Sequence, residues 1–316
     1  MTVKIFDRLA DLPTDIRGGA VAIGNFDGVH LGHARIVERL ISHAKQVGGK
    51  SVVFTFDPHP IHILRPELTP TPLTWTDRKV ELLSDLGVEV MIIYPTDTNL
   101  LSLAPADFFS QIIQTSLDAQ AIVEGPNFFF GHNRTGTIEV LDTLCRHADI
   151  SLEVVQPLKL DDNFVSSSRV RQCIRDGDVS QAREMLTRPY RVRGVVTHGA
   201  GRGMELGFPT ANLNDIDTLL PAEGVYAGRA YAEDTIWPAA INIGPNPTFG
   251  QQTMKVETHL IGFQGSLYES RLEVDFISRL RDIHPFASPE ELVQQLGRDV
   301  EAASAAVQNL TLPHPP

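Results

Sequence analysis

The chain has 316 residues and a formal net charge of −12 at pH 7, with 42% hydrophobic and 21% charged residues. This length predicts two domains, and the acidic balance argues against binding to nucleic acid, whose phosphates attract a basic surface. No run approaches the ~20 apolar residues of a membrane span, and the first residues lack a signal-peptide pattern. We therefore expect a cytoplasmic protein that binds small anionic ligands, with Cys145 and Cys173 as buried free thiols. The sequence makes no prediction about oligomeric state.

In the first half of the chain, apolar runs alternate with amphipathic stretches. Strands are predicted at residues 21–26, 51–56, 88–94, 119–124 and 150–155. Helices are predicted between them, at residues 33–47, 76–86, 105–115 and 137–147. This alternation predicts a doubly wound parallel sheet with helices on both faces, whose ligands bind at the carboxyl ends of the strands.

The second half has a different pattern. After two short helices at 166–175 and 180–186, strands are predicted at residues 191–197, 225–231, 238–243, 255–263 and 271–278. Period-two alternation in these runs predicts an antiparallel sheet or small barrel. Ser-Pro-Glu-Glu at 288–291 predicts a capped helix that ends near residue 307. We therefore predict domains at 1–186 and 187–316.

Four motifs of the N-terminal half follow predicted strands or open predicted helices. Gly-Asn-Phe-Asp-Gly-Val-His-Leu-Gly-His at 24–33 places His30 and His33 where a helix N-terminus favours phosphate, and Gly32 lets phosphates approach the main chain. Phe-Thr-Phe-Asp-Pro-His-Pro at 54–60 shapes a loop or a binding site. Gly-Pro-Asn-Phe-Phe-Phe-Gly at 125–131 supplies aromatics for a core or for stacking on a flat ring. Ser-Ser-Ser-Arg-Val-Arg at 166–171 is a helix cap or a phosphate clamp.

The C-terminal half carries a second set of motifs. Gly-Ala-Gly-Arg-Gly at 199–203 is a glycine-rich turn that lacks the lysine of a Walker A motif. The sequence that follows ends in Thr210 and Asn212, whose side-chain oxygens suit Mg²⁺. Glu257 lies within an apolar strand, where an outward-facing surface carboxylate is the alternative to a catalytic base.

Together the four N-terminal motifs, in this order over residues 18–186, resemble the nucleotidylyltransferase superfamily and the adenylylating module of prokaryotic bifunctional riboflavin kinase/FAD synthetases. Residues 188 to about 303 resemble the riboflavin kinase family through Gly-Phe-Pro-Thr-Ala-Asn, Asn-Ile-Gly-x-x-Pro-Thr-Phe-Gly and Val-Glu-x-His-Leu. That family has a six-stranded antiparallel barrel with a C-terminal helix. This chain departs from the usual pattern at Ser168, at Glu269-Ser270 and at Ile283, the last two on the flavin side.

The resemblance implies that ATP, riboflavin, FMN and FAD are substrates and products, and that Mg²⁺ is a cofactor. The implied catalytic residues are His30, His33 and Glu257, and the implied metal ligands are Thr210 and Asn212. The implied ATP or phosphate contacts are Gly24, Asn25, Phe26, Gly32, Ser166, Ser167, Arg171, Gly199, Gly201 and Gly207. The implied flavin contacts are Asn127, Phe128 and Arg281.

Two alternative hypotheses about function differ from this interpretation. The N-terminal half could adenylylate another phosphate acceptor, or the chain could be a flavin-binding regulatory protein whose sites have decayed. The kinase motifs in the same chain argue against the first, because they produce FMN as an acceptor. The complete sets of candidate catalytic residues argue against the second.

Overall fold

The computed structural model describes residues 3–199, 201–246 and 251–310, so residues 247–250 of the Asn-Ile-Gly motif lie outside the described residues. Internal contacts divide the chain into two compact units. The first contains the chain up to Pro70 together with Thr76–Val165. The second contains Thr71–Trp75 and the chain from Ser166 onwards.

The first unit is built on a parallel sheet, as predicted, but with six strands where five were predicted. Its strands are β1 (Lys4–Phe6), β2 (Ala20–Ile23), β3 (Ser51–Asp57), β4 (Val90–Pro95), β5 (Ala121–Glu124) and β6 (Ser151–Val154). Their order in the sheet is β1-β4-β3-β2-β5-β6. The chain thus proceeds from β2 to one side and later returns to pair β5 on the other side of β2. This is a topological switch point, where ligands of such sheets bind.

The helices of this unit are α1 (Leu31–Val47), α2 (Pro60–Leu64), α3 (Thr76–Asp85), α4 (Thr98–Ser102), α5 (Pro105–Phe108) and α6 (Ile138–Ala148). A π-helix, Phe109–Ser116, continues α5, so the predicted helix at 105–115 has two geometries. Helix α1 ends where Gly48 takes a left-handed conformation and its N–H binds the carbonyl of Ala44. A short antiparallel pair, β7 (Lys159–Leu160) and β8 (Asn163–Phe164), completes the unit.

Two clusters of buried side chains cover the two faces of the sheet. Val21 and Ile23 belong to one cluster, whereas Ala20 and Ala22 belong to the other. Because successive strand residues point to opposite faces, this division shows that both faces are buried. Helix α1 packs with the second cluster and helix α6 with the first, which confirms the doubly wound arrangement.

The second unit is a closed six-stranded antiparallel barrel with a long C-terminal helix. Helices α7 (Ser167–Arg175) and α8 (Val179–Met185) precede strand β9 (Tyr190–Thr197), and α9 (Arg202–Glu205) follows it. The other strands are β10 (Ala211–Asn214), β11 (Gly224–Ala232), β12 (Thr235–Asn246), β13 (Gln251–Leu260) and β14 (Arg271–Arg281). Helix α10 (Pro289–Gln308) is capped by Ser288, whose side chain accepts from the Glu291 N–H, as predicted.

A buried ionic network joins three strands of the barrel. Asp275 on β14 is fully buried and lies opposite Arg191 on β9 and Arg229 on β11. Its carboxylate accepts from Arg191 Nε at 2.6 Å and from Arg229 Nη2 at 2.5 Å. The hydroxyl of Tyr231 donates to the same carboxylate at 2.7 Å. One buried carboxylate is therefore shared by two arginines, and Arg191 also pairs with Glu273 at 2.9 Å.

The segment Thr71–Trp75 packs within the second unit although the sequence on either side of it belongs to the first. Leu73 is fully buried, and the carbonyl of Pro72 accepts from the Leu219 N–H at 2.9 Å. The guanidinium of Arg193 lies 4.8 Å from the ring centre of Trp75. Five residues from the N-terminal half of the sequence thus belong to the barrel unit, and two of them, Leu73 and Trp75, are buried in it.

Candidate active sites

The two candidate histidines of the first unit lie together at the N-terminus of α1. His30 is the N-cap residue, and its Nδ1 accepts from the His33 N–H at 3.2 Å. The two imidazole rings stack with centroids 3.6 Å apart and planes 14° apart. A Cβ added at Gly32 would lie 3.0 Å from the His30 ring, so glycine is needed here to accommodate the stacked ring.

Burial makes both imidazoles neutral at pH 7. It lowers the pKa of His30 to about 4. The pKa of His33 lies well below its ordinary value because of burial and because of the nearby His30 and Lys79. Nδ1 of His33 and Oδ1 of Asn25 are both buried without a hydrogen-bond partner among the described residues. Unpaired buried polar atoms are costly, so this pair indicates a place where a polar ligand binds.

The loop from Gly24 to His30 holds two side-chain-bearing residues in conformations that L-residues rarely adopt. Phe26 has φ of 46° and Val29 has φ of 39°, and both are buried. The ring of Phe26 lies 5.1 Å from that of His33. Such backbone strain costs about 1–3 kcal/mol per residue and persists only where the surroundings fix it. The loop is therefore rigidly held against the first turn of α1.

Lys79 is a cation in the same region that was not predicted from the sequence. It lies on α3 and is only 9% exposed. Burial lowers its pKa, whereas Asp27, which follows β2, and Asp57, the last residue of β3, act in the opposite direction. Lys79 also acts on the pKa of His33. A lysine in an amphipathic helix is ordinarily a surface residue, so its burial depends on tertiary structure that the sequence pattern does not encode.

The candidate flavin residues Asn127 and Phe128 follow β5, at the sheet edge that also carries the start of α1. Asn127 is exposed, and Phe128 packs partly buried against the core with its ring 5.5 Å from that of Phe130. The aromatic residue that faces solvent is Phe129, which is 44% exposed. The guanidinium of Arg134 lies 4.7 Å from its ring centre.

The candidate phosphate clamp Ser166, Ser167 and Arg171 belongs to the second unit. The Ser166 hydroxyl accepts from the Arg169 N–H at 3.3 Å and so caps α7. Arg171 is buried, and its Nε donates to the carbonyl of Thr71 at 3.0 Å. Ser166 therefore caps α7, and Arg171 holds the Thr71–Trp75 segment within that unit.

In the barrel, the glycine-rich turn lies directly against the two candidate metal ligands. A Cβ added at Gly199 would lie 2.3 Å from Asn212 Nδ2, and one at Gly203 would lie 3.3 Å from Thr210 Oγ1. Gly201 and Gly207 have φ of 73° and 84°, in the left-handed region that glycine adopts most readily. The glycines thus bring the turn and the two polar side chains into one place.

Strand pairing adds Glu257 to this place. Glu257 on β13 lies directly opposite Asn212 on β10, and opposite Asn242 on β12 on its other side. Directly opposed residues share a face of the sheet, with Cβ atoms about 4.5–5.5 Å apart. Their neighbours Val256 and Thr258 are buried, which places the polar row on the outer face of the barrel. Asn242 belongs to the Asn-Ile-Gly motif but was not among the predicted site residues.

Arg281, the third candidate flavin residue, contacts the C-terminal helix. Its Nε and Nη2 donate to the two carboxylate oxygens of Asp299, at 3.0 and 2.8 Å. Asp299 is buried and also accepts from Gln295 at 2.9 Å. The guanidinium therefore links β14 to α10.

No helix in the described part of the chain is long and apolar enough to cross a membrane. A parallel sheet with a His-x-Gly-His helix at its switch point, followed by a closed barrel with a glycine-rich turn and a polar row, indicates a nucleotide-dependent transferase. A family model for FAD synthetase matches residues 12–169, and one for riboflavin kinase matches residues 186–307. The chain belongs to the bifunctional riboflavin kinase/FMN adenylyltransferase family.

Individual relatives agree with this assignment. A bifunctional riboflavin kinase/FMN adenylyltransferase from Pseudomonas fluorescens is 36% identical, over 94% of this chain and 96% of its own. One from Bacillus subtilis is 33% identical, over 92% and 93%. A crystal structure described as a macrolide-efflux protein from Streptococcus pneumoniae has a TM-score of 0.84 and 28% identity, over 98% of this chain and 100% of that one. The chain is thus an enzyme with riboflavin kinase and FAD synthetase activities, which use ATP, riboflavin and FMN and yield FMN and FAD.

Proposed function

We propose that the two reactions occur at two separate sites, one in each half of the chain. Residues 1–186 form the FMN adenylyltransferase domain, and residues 187–316 form the riboflavin kinase domain. The kinase transfers the γ-phosphate of ATP to the ribityl hydroxyl of riboflavin. The adenylyltransferase then joins the AMP part of a second ATP to the FMN phosphate and releases pyrophosphate. The observation that supports this most directly is the stacked His30–His33 pair at the switch point of the sheet.

In the adenylyltransferase site, His33 and Asn25 each have a buried polar atom without a hydrogen-bond partner in the described part of the chain, which suits them to bind the triphosphate. The backbone N–H groups at the start of α1, including that of Gly32, add donors for anions. Because both imidazoles are neutral, Lys79 is the best candidate for the positive charge beside the phosphates. Approach of the phosphates raises the pKa of both histidines and of Lys79. Gly24 and Phe26 stay in the proposed nucleotide set of this site, and Asn127 and Phe128 in its flavin set. Ser166, Ser167 and Arg171 stay proposed phosphate contacts of the motif that opens α7.

In the kinase site, Glu257 is the proposed general base. It accepts the ribityl hydroxyl proton as that oxygen attacks the γ-phosphate. The support is its place in the polar row, opposite Asn212 and beside the glycine turn. Gly199, Gly201 and Gly207 are proposed nucleotide contacts. Arg281 is proposed to contact flavin, with Asp299 fixing its orientation.

The oxygen atoms of Thr210 and Asn212 fit a hard cation such as Mg²⁺, and the close approach of Gly199 and Gly203 concentrates them in one place. Bound there, Mg²⁺ would neutralise charge on the ATP phosphates. We also propose that the enzyme is cytoplasmic and that its ligands are small molecules and not nucleic acid, in keeping with its net charge of −12.

The activities are tested by incubating the full chain with riboflavin, ATP and Mg²⁺ and separating the flavins by chromatography. Formation of both FMN and FAD is expected. FMN without FAD would indicate an adenylyltransferase that uses another acceptor, and the absence of both would indicate a decayed flavin-binding protein. Omitting Mg²⁺ tests the cation requirement in the same assay.

The assignment of His33 is tested with His33→Ala, which should lower adenylylation by ~10²–10³-fold while riboflavin phosphorylation continues and FMN accumulates. The matched control is His43→Ala on the same helix, where the histidine bonds Glu153 at 2.6 Å. Control activity should stay near that of the unaltered chain. Equal loss of both activities in His33→Ala would indicate a folding defect or a shared site.

The assignment of Glu257 is tested with Glu257→Gln, which keeps the shape of the side chain but cannot take a proton. Kinase turnover should fall by ~10²–10⁴-fold while adenylylation of supplied FMN survives. Glu273→Gln, on β14, which does not pair with β13, is the control for a partly exposed strand carboxylate. Near-normal kinase turnover in Glu257→Gln would return Glu257 to the role of a surface residue.

A further inference from the structure

Glu124 is a buried acidic residue at the last position of β5, and no step proposed so far uses it. Glu124 is only 4% exposed, and its Oε1 accepts a hydrogen bond from the Ile23 N–H at 2.6 Å. This is the one hydrogen bond of its carboxyl group within the described part of the chain. Glu124 was read in the sequence merely as the end of a strand. A carboxyl group at a buried strand end is unusual, because the other residues of β5 are all apolar.

The contact occurs where the sheet divides. Strand β2 pairs with β5 only through Ala20–Ala121 and Val21–Ile122, whereas it pairs with β3 as far as Ile23–Phe54. Beyond Val21, the main chain of β5 therefore no longer pairs with β2. The Ile23 N–H faces that side and needs another acceptor, since leaving a buried N–H unpaired is costly. The carboxyl group of Glu124 supplies it.

The anchored residue lies immediately before the loop that carries the candidate phosphate site. On the opposite side, the Gly24 N–H donates to the carbonyl of Phe54 at 2.9 Å. Two consecutive backbone N–H groups are thus fixed from two neighbouring strands. The strained residues Phe26 and Val29 follow directly, and the ring of Phe26 contacts that of His33. A displacement of Ile23 would therefore move the Gly24–His30 loop and the histidine pair.

We propose that Glu124 is a positioning residue of the adenylyltransferase site, which replaces the absent main-chain acceptor at the switch point and fixes the Gly24–His30 loop for catalysis. This inference rests on the proposal that this loop binds ATP. Burial raises the pKa of Glu124 well above its ordinary value, which favours the neutral form of the carboxyl group. Glutamine, which keeps a carbonyl acceptor in a neutral side chain, is then the conservative replacement. Leucine has a similar volume and no acceptor.

The test uses the full chain and compares Glu124→Gln with Glu124→Leu. A misplacement of about 1 Å in such a site costs up to ~10²-fold in rate. We expect kcat for FMN adenylylation in the leucine variant to fall roughly 10- to 100-fold per folded molecule. The glutamine variant should stay within about threefold, and riboflavin phosphorylation should be unaffected in both. Amide hydrogen exchange at Ile23 should be faster in the leucine variant and unchanged in the glutamine variant.

Further variants distinguish a failure of this inference from a failure of the proposed ATP site. Glu153→Leu removes an acidic side chain from the neighbouring strand β6, where it binds Arg39 at 2.7 Å, and should leave adenylylation nearly unchanged. If Glu124→Leu does not fold, Glu124→Val provides a second acceptor-free variant with high strand propensity. Full adenylylation per folded molecule in an acceptor-free variant overturns the inference, as does equal loss in the glutamine variant. If His33→Ala keeps full adenylylation, the proposed site itself is wrong.

Discussion

Replacing Asp275 with alanine is expected to destabilise the barrel unit by about 3–5 kcal/mol. The side chain is fully buried and accepts hydrogen bonds from Arg191, Arg229 and Tyr231. Its removal leaves two guanidinium groups, 10% and 16% exposed, without their shared counter-ion. Arg191 keeps a second carboxylate, Glu273, at 2.9 Å, so the uncompensated buried charge is mainly that of Arg229. Breaking such a buried pair costs far more than losing an exposed one.

The chain offers a convenient probe for this measurement. Both of its tryptophans, Trp75 and Trp237, belong to the second unit, so urea unfolding followed by tryptophan fluorescence reports on the barrel alone. With a slope of about 2 kcal/mol per M, the midpoint should fall by about 1.5–2.5 M. Asp282→Ala is the matched control, because Asp282 also pairs with an arginine but is 84% exposed, and it should move the midpoint by less than about 0.5 M. A shift for Asp275→Ala no larger than that of the control would refute the reasoning.

Three further predictions concern other parts of the molecule. A fragment of residues 166–316 should be more stable than one of 187–316, because α8 buries Val179 and Met185 and Arg183 bonds the barrel carbonyl of Ile277; equal urea midpoints would contradict this. NMR titration of His30, with its signal assigned from His30→Gln, should give a pKa of about 4. Because the unfolded chain binds this proton at a higher pH than the folded chain does, the first unit should lose stability as pH falls from about 6.5 to 4. A measured pKa near 6.5 would show that the ring is solvated. Lys79→Met should raise KM for ATP in adenylylation about tenfold or more and leave kinase kinetics unchanged, and an unaltered KM would remove Lys79 from the phosphate site.

The sequence predicted the two architectures well because their signals are local. Strand–helix alternation and a glycine-flanked histidine pair are readable in short windows, and the structure confirms both. Strands β1 and β10 were missed because each is short and has at most one buried side chain, Leu213 in β10. Their strand conformation depends on pairing with distant segments, which a local pattern does not contain.

The candidate sites were predictable to the same extent. Residue types and spacing indicated His30, His33 and Glu257, and the structure places the two histidines together and Glu257 in a polar row. The protonation of the histidines was not predictable, because it depends on burial. Glu124 was missed because its hydrogen-bond partner is 101 residues away in the sequence. Such long-range pairings arise only from the folded chain.

The Thr71–Trp75 segment limits how this protein can recombine with its relatives. A chimera joined once, near residue 166 or 187, would take a foreign barrel but keep a native Leu73 and Trp75. Those two side chains are buried in the barrel unit, so they would meet cavities shaped for another sequence. A compatible exchange needs three joints, which transfer the five-residue segment together with the barrel. The part of the gene that encodes the complete barrel unit is therefore discontinuous.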